Sequence, residues 1–265
     1  MHQHLTISEL FIYPIKGMSG IALSKSEVTQ LGLKYDRRYM IVDEHNQFIS
    51  QRNFSLLCLF KIEIDEQGFV VSYQGNTIVI PFFINEGESI KVKIWDDEVN
   101  AIIASTNINQ FLCKHLSINC KLVYMPNSAQ RWVDKNVVPE DHIVSFADAY
   151  PILLIGKKSL HLLNEKLAEP IEMNRFRPNI TFLGGEAHEE DQWINFSVNN
   201  VKFKGVKACA RCVVTTINQQ TGLSSKEPLK TLATYRSFKQ KINFGQNVIV
   251  LNKGEIAVGD EIILA

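Results

Sequence analysis

From Leu5 to Ala104 the chain runs in short apolar and β-branched stretches, each cut off within a few residues by a turn signal. Leu5–Tyr13 and Ala22–Leu31 come close to alternating apolar and polar side chains, the period of a strand with one buried face. Arg38–Asp43 and Gln47–Ser50 flank Glu44-His45-Asn46, which reads as a hairpin loop. Leu59–Ile64, Phe69–Tyr73 and Thr77–Ile80 follow, separated by Glu66-Gln67-Gly68 and Gly75-Asn76. Ser89–Trp95 and Asn100–Ala104 add two more strands. Strands this closely spaced, joined by turns this short, favour an antiparallel barrel or sandwich.

Ser105–Leu116 changes period. Ile108, Phe111, Leu112 and Leu116 recur at helical spacing, and Ser105 or Thr106 supplies a cap. Lys121–Met125 reads as a strand again. The expected division is therefore an N-terminal β-barrel domain over 1–122 and a second domain over 123–265. No linker rich in Gly, Ser or Pro marks the division, so the two parts are expected to share an interface. In the second part Lys158–Leu167 is an amphipathic helix, and Glu227–Tyr235 is a short one with Pro228 in its first turn. Asn179–Leu183, Val198–Phe203, Val213–Ile217, Asn247–Leu251 and Glu261–Leu264 read as strands. The fold class expected is mainly β with some helix (α+β).

The charge balance narrows the function. Lys plus Arg and Asp plus Glu are both 28, a net charge of zero. That argues against general nucleic-acid binding, which needs a positive excess, while leaving room for a local basic pocket. No apolar run approaches the roughly 20 residues that span a bilayer. Met1-His2-Gln3-His4 lacks the regions of a signal peptide. The expectation is a cytoplasmic protein without membrane or nucleic-acid partners. Five cysteines, an odd number without disulfide spacing, are expected to be free thiols, metal ligands or reactive groups.

Chemistry concentrates at Cys209-Ala210-Arg211-Cys212. A thiolate is a soft metal ligand, and arginine is a planar, permanently charged fork for phosphate. Three other readings stand beside this one. The thiols could be inert core groups. They could bind zinc, which wants four ligands. They could form a redox pair, which belongs before a helix. Asn174-Arg175-Phe176-Arg177-Pro178-Asn179 offers Arg177 as a bidentate phosphate grip, held extended by Pro178, and Asn179 as a polar donor. Tyr13-Pro14-Ile15-Lys16-Gly17-Met18 places Lys16 in a loop where small residues allow close backbone approach. Tyr35-Asp36-Arg37-Arg38 and Ser50-Gln51-Arg52 are further basic sites. Asp141 and His142 are potential acid–base groups, with nothing in the sequence to place them beside Cys212.

The order of these segments is more specific than any one of them. Tyr-Pro-Ile-Lys, Asp-Arg-Arg, Arg-Phe-Arg-Pro-Asn, Cys-Ala-Arg-Cys-Val-Val-Thr-Thr, Lys-Glu-Pro-Leu and Phe-Gly-Gln-Asn follow one another in a series that resembles the MOSC family. Within it the series is similar to the amidoxime-reducing and YcbX-type branch, over nearly the whole chain. The resemblance implies an N-terminal β-barrel domain followed by a MOSC-type β-barrel, and a molybdenum cofactor (Mo-molybdopterin). It implies Cys212 as metal ligand and catalytic residue. It implies cofactor contacts at Lys16, Gly17, Arg37, Arg177, Asn179, Ala210, Arg211 and Asn247, and assigns Cys209 no ligand role. Gly17 stands where relatives often carry Ser, Ala210 where some carry Ser, and Asn247 where they carry Tyr; a hydroxyl contact is lost at Gly17, where a backbone N–H contact is expected to persist, and the implied hydrogen-bond pattern changes at the other two. The implied activity is reduction of small N-hydroxylated compounds, hydroxylamines and amidoximes. The C-terminal iron–sulfur domain of YcbX-type relatives has no counterpart here, so a separate ferredoxin or flavoprotein is implied as electron donor. A cofactor carrier or persulfide sulfur-transfer module is the alternative, and a non-catalytic binding protein that kept the fold is the second alternative.

Overall fold

A computed structural model describes residues 4–265; Met1, His2 and Gln3 of the N-terminal reading lie outside the described residues. Ten strands precede the first helix: β1 (Thr6–Ile12), β2 (Ile21–Leu23), β3 (Lys25–Thr29), β4 (Gly32–Leu33), β5 (Tyr39–Asp43), β6 (Lys61–Ile64), β7 (Gly68–Tyr73), β8 (Asn76–Pro81), β9 (Ser89–Ile94) and β10 (Asp97–Ile103). Helix α1 (Thr106–Leu116) and β11 (Cys120–Tyr124) follow. Then come β12 (Ile152–Gly156), α2 (Lys157–Asn164), β13 (Ile180–Leu183), β14 (Asn195–Val198), β15 (Val201–Ala210) and α3 (Leu229–Ala233). β16 (Ser237–Phe238), β17 (Lys241–Val250), β18 (Gly254–Ala257) and β19 (Ile262–Leu264) end the chain. The mainly β expectation holds, with three α-helices among the described residues.

Two sheets curl until their edges meet. The larger runs β19-β14-β15-β17-β12-β13-β1-β2. Its edges join where Ile7 N–H donates to Asp260 C=O at 2.9 Å and Ile262 N–H to Leu5 C=O at 2.8 Å. Closure satisfies backbone groups that an open edge would expose. Leu5, just before β1, and Ile7, Leu10 and Ile12 from β1 fill the interior together with Leu154, Phe182, Phe203 and Val248. The smaller sheet runs β5-β11-β10-β9 and closes through Asn46–Ile49: Phe48 N–H donates to Lys93 C=O at 3.1 Å and Ile49 N–H to Ile41 C=O at 2.8 Å. Among the described residues every pairing between two named strands is antiparallel except β12/β13, the parallel pair that α2 bridges. The β6-β7-β8 meander and α1 cover a third apolar cluster around Phe60, Phe69 and Leu112.

This topology bears on the division expected at residue 122. That position lies inside β11, which pairs on both sides with strands of the first half. The first strand of the chain belongs to the large sheet of the second half, between β13 and the 259–262 segment. The halves are therefore interleaved rather than docked end to end.

Three local expectations are corrected. Val213–Thr216 is a 3-10 turn, not part of a strand. Its β-branched composition reads as extended, but the Thr215 hydroxyl donates to Cys212 C=O at 3.0 Å and that of Thr216 to Val213 C=O at 2.7 Å, so local bonds prevail over β propensity. Val198–Phe203 is the corner of the β14/β15 hairpin, with Asn199 in the left-handed region at its tip. Arg177 is not extended before Pro178; its φ is +56°, held by an N–H bond to Asn174 C=O and by side-chain contacts described below.

Candidate functional site

Tyr13 organises the centre. It follows β1 directly, its N–H donates to the buried Asp36 carboxylate at 2.8 Å, and its hydroxyl donates to Pro178 C=O at 3.1 Å. Arg37 and Arg177 lie against its ring at 4.5 and 4.1 Å from the centroid. Two guanidiniums sharing one aromatic ring gain from its quadrupole but repel each other. Asp36 relieves this, accepting from Arg37 Nη1 at 2.6 Å, while Arg177 donates to Met18 C=O at 2.7 Å. Burial draws Arg177 down to about 10 and pushes the Tyr13 phenol up to about 12. Arg211 lies within electrostatic reach of Tyr13 as well.

Lys16 approaches from the loop after Tyr13. It is 6 % exposed and donates to Phe146 C=O at 2.9 Å and to Asp148 Oδ1 at 2.5 Å. Burial lowers it to about 8, although Asp148 pulls the other way. The Asp148 side chain is largely exposed. Partial desolvation of the carboxyl against its neighbours opposes ionisation, but Lys16, with help from Arg52 and Arg37, holds it below the usual range. Gly17 turns the loop with a φ of +93° that a side chain would strain, and its carbonyl accepts from Gln51 Nε2 at 2.6 Å. Gln51 and Gln219 exchange two amide hydrogen bonds, tying the Lys16 loop to the segment after Cys212.

The two sulfurs stand on the same margin. Cys212 is half-buried and leads into the 3-10 turn, and Arg52 Nη2 donates to its Sγ at 3.3 Å. Cys209, also half-buried, accepts from Arg211 Nη1 at 3.0 Å. Arg211 Nη2 reaches Phe176 C=O at 2.6 Å, and its Nε is buried without a partner. Among the described residues no group of three or more His, Cys, Asp and Glu side chains is gathered to hold a metal ion.

The fold thus brings Lys16, Gly17, Arg37, Arg177, Arg211 and Cys212 into one neighbourhood. Asn179 is close, and three of its side-chain hydrogen bonds go to the scaffold. Its Oδ1 accepts from Arg37 at 3.2 Å and from Leu153 N–H at 3.2 Å, and its Nδ2 donates to Phe11 C=O at 3.2 Å. It orients Arg37 and clamps β1 to β12. Ala210 ends β15 opposite Asn243, exposed, with only backbone to offer. Asn247 sits mid-strand between Leu153 and Lys207, and no contact ties it to the arginine cluster. Asp141 pairs with Lys135 at the surface. Sequence reasoning left Asp148 and Trp95 out of the site and gave Arg52 no role beyond that of a basic surface residue. The adjacency of Gln51 and Arg52 to a strand end was the available signal; their partners Gln219 and Cys212 lie 168 and 160 positions along the chain.

The chain matches two family models, the MOSC N-terminal beta barrel domain over residues 4–119 and the MOSC domain over 141–263. It is 29% identical to "Mitochondrial amidoxime-reducing component 1" of Mus musculus, over 98% of this chain and 82% of that protein. It is 30% identical to "Mitochondrial amidoxime reducing component 2" of Rattus norvegicus, over 97% and 82%. Among solved structures the YUAD protein of Bacillus subtilis aligns over 98% of this chain and 95% of its own, at 10% identity and a TM-score of 0.46.

Proposed function

The chain belongs to the MOSC family, in the arrangement that joins the MOSC domain to its N-terminal β-barrel domain, and on that premise we propose that it is a molybdenum-cofactor oxidoreductase that removes oxygen from N-hydroxylated compounds. The observation that carries the reading is the gathering of a half-buried thiol and several buried or half-buried cations from both halves of the chain. A phosphorylated pterin that carries a heavy metal needs both kinds of group.

The residues suit such a group. The buried Arg211 Nε lacks an acceptor, and Arg177 makes a single outgoing hydrogen bond. Both therefore keep donors for a phosphate. Arg177, Arg211 and Arg37 would neutralise the cofactor's phosphate, and the Lys16 ammonium would add charge once Asp148 turns outward. Cys212 would give the metal its protein ligand. When bound, the cofactor supplies the two-electron chemistry that accepts an oxygen atom from nitrogen. Tyr13 holds Arg37 and Arg177 in place, and the Gln51–Gln219 pair fixes the Lys16 loop against the Cys212 turn. Asp148, exposed and kept ionised by its cationic neighbours, balances the Lys16 charge while no phosphate is present. A separate ferredoxin or flavoprotein would supply electrons.

Protein from a cofactor-competent host should contain about one molybdenum per chain and release a fluorescent pterin on oxidation. With a reduced dye and a hydroxylamine it should turn over, and Cys212→Ala should abolish turnover. Full activity in that variant, or cyanolysable sulfur on Cys209 or Cys212 without molybdenum, would overturn the assignment, the latter in favour of a sulfur carrier.

A further inference from the structure

The β9/β10 hairpin turns through Trp95 and Asp96, since Ile94 pairs with Asp97. Trp95 sits in the left-handed region at φ +56°. That conformation suits Gly or Asn and is unfavourable for a bulky aromatic residue. The β7/β8 hairpin of the same protein puts Gln74-Gly75 in the corresponding two-residue loop. Core burial does not account for the tryptophan, because 38 % of Trp95 is exposed.

Its ring nevertheless has specific neighbours. One is Phe48, at 4.8 Å between centroids. The other is the Arg52 guanidinium, 4.3 Å from the Trp95 centroid. Arg52 is otherwise exposed, and its Nη2 is the group that donates to Cys212 Sγ at 3.3 Å. A free arginine side chain would lose considerable rotamer entropy in holding that position. A flat aromatic surface under the guanidinium lowers the loss and adds cation–π attraction.

We infer that Trp95 is a positioning residue: its ring is the shelf that holds the Arg52 guanidinium against the Cys212 sulfur, and the hairpin accepts a strained backbone to put it there. The strain and the stacking are separate observations, and both centre on one side chain. The inference rests on the reading that Cys212 is the working sulfur, and it extends that site to a hairpin tip in the smaller barrel.

The test uses cofactor-free full-length protein, so that it does not depend on turnover. Trp95→Asn places a residue that tolerates left-handed backbone and removes the ring. Its thermal midpoint should exceed that of Trp95→Ala, which loses the same ring but tolerates the left-handed backbone less well. Alkylation of Cys212 by iodoacetamide, followed by peptide mass at fixed pH, should slow roughly three- to tenfold, to the rate of Arg52→Gln, because a cation beside the sulfur promotes attack. The double variant should be no slower than either single one, and Trp95→Phe, which keeps a ring, should retain most of the parent rate. An unchanged rate in Trp95→Asn, or a double variant slowed by the product of the single effects, would overturn the shelf. A midpoint in Trp95→Asn no higher than that of Trp95→Ala would overturn the strain. Molybdenum content of the parent protein tests the cofactor reading separately: absent metal with an intact alkylation pattern removes the cofactor and leaves the shelf standing.

Discussion

At Lys16 the fold holds an ammonium out of water with one carbonyl and one carboxylate as compensation. Burial wins, and the group falls from 10.5 to about 8. The consequence for stability has a definite sign. Between these two values the unfolded chain binds the proton and the folded chain releases it, so this group raises stability as pH rises. From pH 8 to pH 10 the gain is about 2 kcal/mol. Urea unfolding at the two pH values should show that Lys16→Met loses most of this increment relative to the parent chain. An identical increment in both proteins would mean the lysine titrates normally. The same residue shows what a sequence conceals. A lysine before Gly17 reads as a phosphate contact, but its existing partner, Asp148, is 132 positions away.

At the scale of elements, the turn after Cys212 matters most. Val213-Val214-Thr215-Thr216 has strand composition and folds as a 3-10 turn because two hydroxyls bond backward to the main chain. Arg175 adds a third tie, donating to Thr216 C=O at 3.0 Å. The turn makes Cys212 the last extended residue before a bend, so its sulfur points to the margin where Arg52 lies. Thr215→Val keeps the shape and removes the hydroxyl at a fully buried position. It should cost about 1 kcal/mol in chemical denaturation, the net worth of one hydrogen bond. A gain in stability would show that strand propensity, not the hydroxyl, governs this segment. Strands with clean alternation, such as β7 and β9, and the α1 helix with its four periodic apolar residues, were legible because local pattern and tertiary burial agree there.

At the scale of the molecule, β1 makes the halves inseparable. It lies between β13 and the 259–262 segment and supplies three buried side chains, Ile7, Leu10 and Ile12, to the large barrel. Residues 123–265 expressed alone should therefore lack cooperative thermal unfolding and expose apolar surface to a hydrophobic dye. Adding a peptide of residues 4–14 should restore a cooperative transition. Cooperative unfolding of the fragment without the peptide would show that the barrel does not need its first strand.

The sequence alone determined the strand-rich class, the helix at 106–116 and the chemical types present: soft sulfur, arginines and a loop lysine. These depend on local periodicity and on side-chain chemistry, which composition and spacing record directly. Only the tertiary structure decided that the first strand closes the second barrel, that Arg177 bends back onto Tyr13, that Asn179 orients Arg37, and that Arg52, stacked on Trp95, reaches Cys212. Each of those is a contact between positions far apart in the chain, fixed by barrel closure and by the need to pair buried charge, and no local pattern encodes it.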